Sequence, residues 1–447
     1  MFGFSMVQLV RRHGDKIDYT LRKELVNLYR PFRWTPCFLH GLMEGRIKRL
    51  RAFPVIIEFE GSEGYEKGLV EVHDTSQKHT KCHIKKSFAS TNCCSAQMTP
   101  QAIEALLENC NHIRKIHMDR EVRALLNVAK PSVRSDQVVN PSGVPLTGKG
   151  VTIAVIDTGI HPHPDLEGRI VDFVDLVGTG TNPYDDNGHG THCAGDAAGN
   201  GAASGGNYAG PAPDAYVIGV KVLDKLGSGS LSTVMDGVQW CIDYNNNPNT
   251  THKINIISMS LGSAPDRPAK DDPMVQMVEA AWREGIVVLV AAGNDGPSEG
   301  TISSPGNSPV VITVGAMDDR NTPSRDDDDV ASFSSRGPTP FDNHPKPDIL
   351  APGVNIISLR APNSYLDKLQ KASRREQNYF ELSGTSMATP ICAGAAAQLL
   401  ELKPNLTPDQ VKKYLMKGAT PWGNREGYIY GAGYLDVKAS VELIEEG

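Results

Sequence analysis

Leu382-Ser-Gly-Thr-Ser-Met-Ala-Thr-Pro390 places one hydroxyl, Ser386, in a tight Gly-Thr-Ser turn directly ahead of small residues, Ala388, Ala393, Gly394, Ala395, Ala396 and Ala397. Such a run predicts a helix buried and closely packed on its neighbours. A serine at the start of that helix faces the positive end of its dipole. Backbone N–H groups without an intrahelical partner lie there as well, and they suit an oxyanion. By itself the turn equally fits an ordinary N-cap serine, so the decision rests on what lies upstream.

Val151-Thr-Ile-Ala-Val-Ile156 reads as a buried strand, and Asp157 stands at its carboxyl end in Asp157-Thr-Gly-Ile160. A carboxylate in that position is costly unless it meets a cation or an N–H donor. Asn187-Gly-His-Gly-Thr-His-Cys-Ala-Gly195 supplies His189 and His192. One imidazole can take a proton from a serine while a buried carboxylate orients its other nitrogen. The rival reading is zinc, held by the two histidines with Asp185 and Asp186, but the His-Glu-x-x-His pattern that would supply ligands and a base is missing. Ile254-Asn-Ile-Ile-Ser-Met-Ser-Leu-Gly262 and Gly285-Ile-Val-Val-Leu-Val-Ala-Ala-Gly-Asn294 are further strands, the second ending in an amide. An asparagine can approach a developing negative charge without carrying charge itself. Short apolar strands alternating with helical stretches from Val151 onward predict an α/β fold, a mostly parallel sheet covered by helices on both faces. Functional groups in such sheets sit at the carboxyl ends of strands.

Asp157, His189, Asn294 and Ser386, in this order and each in a glycine-rich setting, resemble the subtilisin-like serine proteases (subtilases) over roughly Thr147 to Glu442. The resemblance implies a subtilisin-like three-layer fold and an endopeptidase with Ser386 as nucleophile and His189 as general base, then acid. It implies that Asp157 orients the imidazole and that Asn294 and the Ser386 N–H form an oxyanion hole, with His192 structural. It further implies a groove in which peptide pairs as an added strand. Gly227, Ser228 and Gly229 form one wall, Ser260, Leu261 and Gly262 the other, and Ala291, Ala292 and Gly293 line the primary pocket. Small residues there leave room for a large apolar side chain, so broad specificity with an apolar preference is expected. Cys193 resembles the proteinase K and thermitase branches and implies sensitivity to mercurials. No cofactor is implied for catalysis. A structural calcium is implied at Asp165, although the partner loop, Gly199–Tyr208, carries no carboxylate. The acidic run Asp326–Asp329, with Asp318 and Asp319, reads as a solvated loop. A catalytically silent binding protein on the same fold and a dedicated processing protease are the alternatives.

Ahead of this domain, residues 53–126 predict β-α-β-β-α-β, a small ferredoxin-like α+β unit. The resemblance makes it a propeptide, inhibitor of its own catalytic domain in cis. Residues 127–146, rich in proline and glycine, read as a linker with the processing region between about Leu126 and Asp136, and 147–447 as the catalytic domain. Residues 1–52 form a basic arm with eleven Lys/Arg against four Asp/Glu, while the remainder has 34 against 48. Docking of the arm on its own acidic chain is expected, with no clear nucleic-acid partner. The basic, polar stretch Asn363–Gln377 reads as a mobile loop. With 39% apolar and 22% charged residues, no secretory signal and no run long enough to span a membrane, the 447-residue chain reads as a cytoplasmic monomer. Its eight cysteines are then expected as free thiols and its partners as polypeptide substrates.

Overall fold

Thr152–Asp157 (β5) is buried at every position, and it takes the middle of the larger sheet because both of its faces and both of its edges can be covered. The computed structural model describes residues 5–28, 44–49, 51–89, 92–118, 126–322, 324–422 and 426–446. The chain divides into two units, Met1–Val122 and Arg123–Gly447.

In the first unit Phe53–Phe59 (β1), His83–Phe88 (β2), Cys93–Met98 (β3) and Ile113–Met118 (β4) form an antiparallel sheet in the order β2-β3-β1-β4. Helices Gly61–Lys78 and Pro100–Asn109 complete the expected β-α-β-β-α-β order. Alternate burial along β1 is the period-two signature of a sheet with one face on a core. The second helix begins as its sequence dictates, with the Thr99 hydroxyl accepting from Ala102 N and Pro100 in its first turn. The basic arm is not a separate element. Ile17, Leu21 and Leu25 are fully buried in this unit's core, and Ile116 N donates to Lys16 O while Asp18 N donates to Ile116 O, at 2.8 and 3.0 Å. The arm thus covers the free edge of β4, an edge that would otherwise offer unpaired peptide groups.

In the second unit β5 is joined by Ile170–Asp175 (β6), Tyr216–Lys221 (β7), Ile256–Met259 (β8), Val287–Ala291 (β9), Ile312–Asp318 (β10), Asp329–Val330 (β11) and Ile349–Pro352 (β12). The order is β11-β10-β9-β8-β5-β7-β6, with β12 also on β10. All pairings are parallel except the short β10–β11 ladder. The predicted α/β class is therefore the observed one. Two helices carry the site, His189–Ala198 (the histidine helix) and Thr385–Leu402 (the serine helix). Their glycines permit close packing: a Cβ on Gly394 would stand 2.6 Å from Ala197 O.

Two stretches read as irregular are built into this unit. Residues 127–146 are not a free linker. Ala129, Val133, Val138 and Leu146 join the core, Gln398 Nε2 donates to Ser135 O and Leu146 O at 2.8 and 2.7 Å, and Val437 N donates to Val133 O. The stretch Asn363–Gln377 is also ordered, because Asp367 gathers Arg360 and Arg374 around a carboxylate that is 2% exposed. The acidic run is only half solvated: Asp326, Asp327 and Asp329 are exposed, whereas Asp319 and Asp328 are buried. Burial pushes both of the latter up to about 7.

Candidate active site

Asp157 ends β5 between Lys221 of β7 and the end of β8 and is fully buried. Its carboxylate is satisfied, with Thr158 N donating to Oδ1 at 2.7 Å and His189 Nδ1 lying 2.8 and 3.0 Å from Oδ1 and Oδ2. Glycine makes this approach possible. A Cβ on Gly190 would lie 2.3 Å from Gly159 O and 3.1 Å from Asp157 Cβ, so any other residue would push the histidine helix off the strand end. Burial is the largest influence on the imidazole and opposes its protonation, but the Asp157 charge, the hydrogen bond to that carboxylate and the neighbouring Cys193 together outweigh it and hold His189 well above the ordinary histidine range.

Asp185, considered from sequence only as a metal ligand, caps the histidine helix. Its Oδ1 accepts from Thr158 Oγ1, Asn187 N and Gly188 N, and its Oδ2 from Thr191 N and Oγ1, at 2.6–3.1 Å. Sequence offered one signal for it, an acidic residue four before the helix. His192 faces away from this chemistry: Nδ1 meets Asp196 Oδ2 at 2.9 Å, and Nε2 meets Phe380 O at 3.0 Å and Ile356 O at 3.2 Å, all buried. A zinc site shared by the two histidines has no geometry here.

Ser386 is the second residue of the serine helix. Four residues on, Pro390 has no N–H, so the Ser386 carbonyl has no helical donor. Ser260 Oγ donates to it at 2.7 Å and Cys193 Sγ at 3.4 Å, which ties the Ser386 turn to the residue following β8 and to the histidine helix. The Ser386 hydroxyl donates to Ser260 O at 3.2 Å. Asn294 Oδ1 accepts from Thr385 N at 2.9 Å and Thr385 Oγ1 at 3.1 Å, which orients the amide and leaves its Nδ2 for another acceptor. A Cβ placed on Gly384 would stand 3.4 Å from Asn294 Nδ2 and 3.6 Å from Ser386 N. Two donor nitrogens therefore lie about one small space beside the serine.

A cleft of about 640 Å³ opens beside this cluster, lined by Gly227, Ser228, Gly229, Ser260, Leu261 and Gly262 among others. The six residues expected as two walls therefore line one cleft. Ala291, Ala292 and Gly293 do not line it. Ala291 and Ala292 are buried, and Ala292 O accepts from Ser303 N at 2.9 Å, so they support the Ser304–Pro305 segment that does line the cleft.

Asp165 does not fit a calcium ion. It is fully buried, and its oxygens already accept from Gly201 N (3.1 Å), Ala203 N (2.8 Å) and Tyr379 OH (2.9 Å). Two of these donors belong to the very loop read as the calcium partner. Donor hydrogens repel a cation, so the loop closes on Asp165 by itself.

This fold and cluster define a serine hydrolase of the α/β class. The chain matches the model of the subtilase family over residues 148–433. It is 56% identical over 444 residues to Serine protease AprX of Bacillus subtilis (strain 168), covering 99% of each chain. It is also 33% identical over 365 residues to Subtilisin E of the same organism, covering 80% of this chain and 83% of that one. Among solved structures, sphericase superposes with a TM-score of 0.55 at 30% identity, covering 69% of this chain and 97% of that one. The chain belongs to the subtilase family and is a subtilisin-like serine endopeptidase acting on polypeptides.

Proposed function

We propose that Asp157, His189 and Ser386 are the catalytic triad and that Asn294 Nδ2 and Ser386 N hold the oxyanion. The observation that carries this is the convergence of those two donors beside Gly384, next to the buried Asp157–His189 pair. The serine hydroxyl turns from Ser260 O to the imidazole, which takes its proton as the oxygen attacks the peptide carbonyl. The imidazole then passes that proton to the leaving amine, and a water repeats the cycle on the acyl-enzyme. Asn294→Ala is expected to lower kcat by about 10²–10³, the loss measured for the oxyanion asparagine of subtilisin itself, with KM little changed in steady-state assays.

Broad specificity with an apolar preference follows from the cleft, whose described lining holds no Asp, Glu, Lys or Arg. Residues 53–118 supply the fold of an inhibitory propeptide, and cleavage in cis falls before Ala129, where the chain enters the core of the catalytic unit. No described helix is long and apolar enough to cross a membrane. With Cys94, Cys110, Cys193, Cys241 and Cys392 buried as thiols, a monomer working in the cytoplasm is the setting we assign. The test is intact mass of wild type beside Ser386→Ala, with and without a fluorophosphonate. Loss of the residues ahead of a cut no earlier than about Leu126, and labelling, both confined to wild type, is the expected result. Full-length wild type that is labelled and digests casein would remove the propeptide role alone. Wild type that is neither cut nor labelled would remove the triad.

Cys193 Sγ lies 3.8 Å from His189 Nδ1, and Asp157, His189 and Cys193 bring donor atoms within 4.8 Å of one another. Burial pushes this thiol up to about 11, so at neutral pH the reactive thiolate is scarce. Slow alkylation by iodoacetamide and rapid inactivation by mercuric ion are expected, with Cys193→Ala resistant to mercury in residual-activity assays.

A further inference from the structure

The ordered stretch Asn363–Gln377 is fixed to the segment that carries the histidine. Tyr365 N donates to Asp186 O at 2.8 Å and Leu366 N to Asn187 O at 3.0 Å, so two consecutive amides grip the residues leading into His189. Ser364 comes so close that a Cβ on Gly188 would lie 2.7 Å from its Oγ. The grip is held from behind by Asp367, which accepts from Arg360 (2.6 and 3.1 Å), Arg374 (2.7 and 2.9 Å) and Asn363 N (3.0 Å). This clamp aims Leu366 into the cleft, in a corner shared with Thr158, Asn187, His189, Leu223 and Leu226.

We propose that Leu366 determines specificity, as the wall of the subsite that receives the substrate side chain immediately amino-terminal to the scissile residue. The proposal rests on the triad reading. An extended peptide alternates its side chains between faces, and the scissile residue's carbonyl is held at Ser386 and Asn294. The preceding side chain then faces the imidazole and meets the three leucines, Leu223, Leu226 and Leu366. No described charged side chain lines this corner, so the subsite selects an apolar side chain.

The test is kcat/KM for a peptide series varied only at that position (alanine, leucine, lysine) with wild type, Leu366→Ala and Leu366→Glu. Wild type is expected to prefer leucine over alanine, and Leu366→Ala to shrink that ratio about tenfold, the order of effect of a lost apolar contact in a pocket. In Leu366→Glu the preferred residue is expected to become lysine. Labelling of Ser386 by a small fluorophosphonate reports that each variant is folded. Labelled variants with the wild-type ratios would overturn the proposal. Wild type that is not labelled at Ser386 would remove the triad reading, and this subsite with it.

Discussion

Replacing Ser386 with alanine is expected to lower kcat on the order of 10⁶, the loss measured when the serine or histidine of subtilisin is removed, read as casein or peptide hydrolysis by protein of confirmed fold. The reason is local. In the proposed triad the Ser386 hydroxyl, which lies beside Asn294 Nδ2 and its own N–H, is the nucleophile, and a methyl group can neither attack nor pass on a proton. The oxyanion donors and the cleft survive the change, so some 10³–10⁴ of acceleration over water should persist, as it does in subtilisin. Substrate affinity should be nearly unaltered, because the cleft walls Gly227–Gly229 and Ser260–Gly262 are untouched. Full activity in the Ser386→Ala protein would contradict the mechanism.

Asp157→Asn is expected to cost about 10⁴ in kcat, the size of the same change in the chymotrypsin-type triad, and to move the pH profile. The sign follows from the balance at His189. Burial lowers its proton affinity, and the Asp157 charge and hydrogen bond together with Cys193 raise it more, so the folded imidazole titrates well above the ordinary histidine range. The base must be neutral to accept the serine proton, so kcat/KM should rise with pH through that elevated value, on the alkaline side of about 6.5. Without the carboxylate charge the main opposition to burial is gone and the acid limb should shift to lower pH. The same linkage acts on stability: the pair's contribution is complete below the unfolded histidine value and is lost as pH rises through the folded one. A pH profile of the residual activity, compared with wild type, checks both parts. An acid limb that stays in place would mean that Asp157 does not set the imidazole's titration.

The proposed catalytic residues were legible because each sits where the chain itself must be unusual. Asp157 closes an apolar strand, Gly190 is required so that the histidine helix can reach it, and Gly384 leaves room between two donors. Such needs leave marks in adjacent letters. The clamp on Asp165 left none, because two of its donors are peptide N–H groups of Gly201 and Ala203 and every residue but proline has one. The grouping of Arg360 and Arg374 on Asp367 was equally hidden, since a basic, polar segment looks the same whether its charges meet solvent or one another. Burial of residues 129–146 depends on Gln398, more than 250 positions away. The arm's docking depends on an exposed strand edge that exists only once the sheet has formed. Composition gave the arm's charge, whereas Ile17, Leu21 and Leu25 decide its place.

The closure of Gly201 and Ala203 on Asp165 carries a meaning for the conditions under which the fold persists. Peptide dipoles tethered in the chain occupy the carboxylate at full local concentration, whatever the bath contains. They cannot be diluted away, displaced by a competing ion or stripped by a chelator. On this flank the groups that satisfy the buried carboxylate are carried by the chain itself.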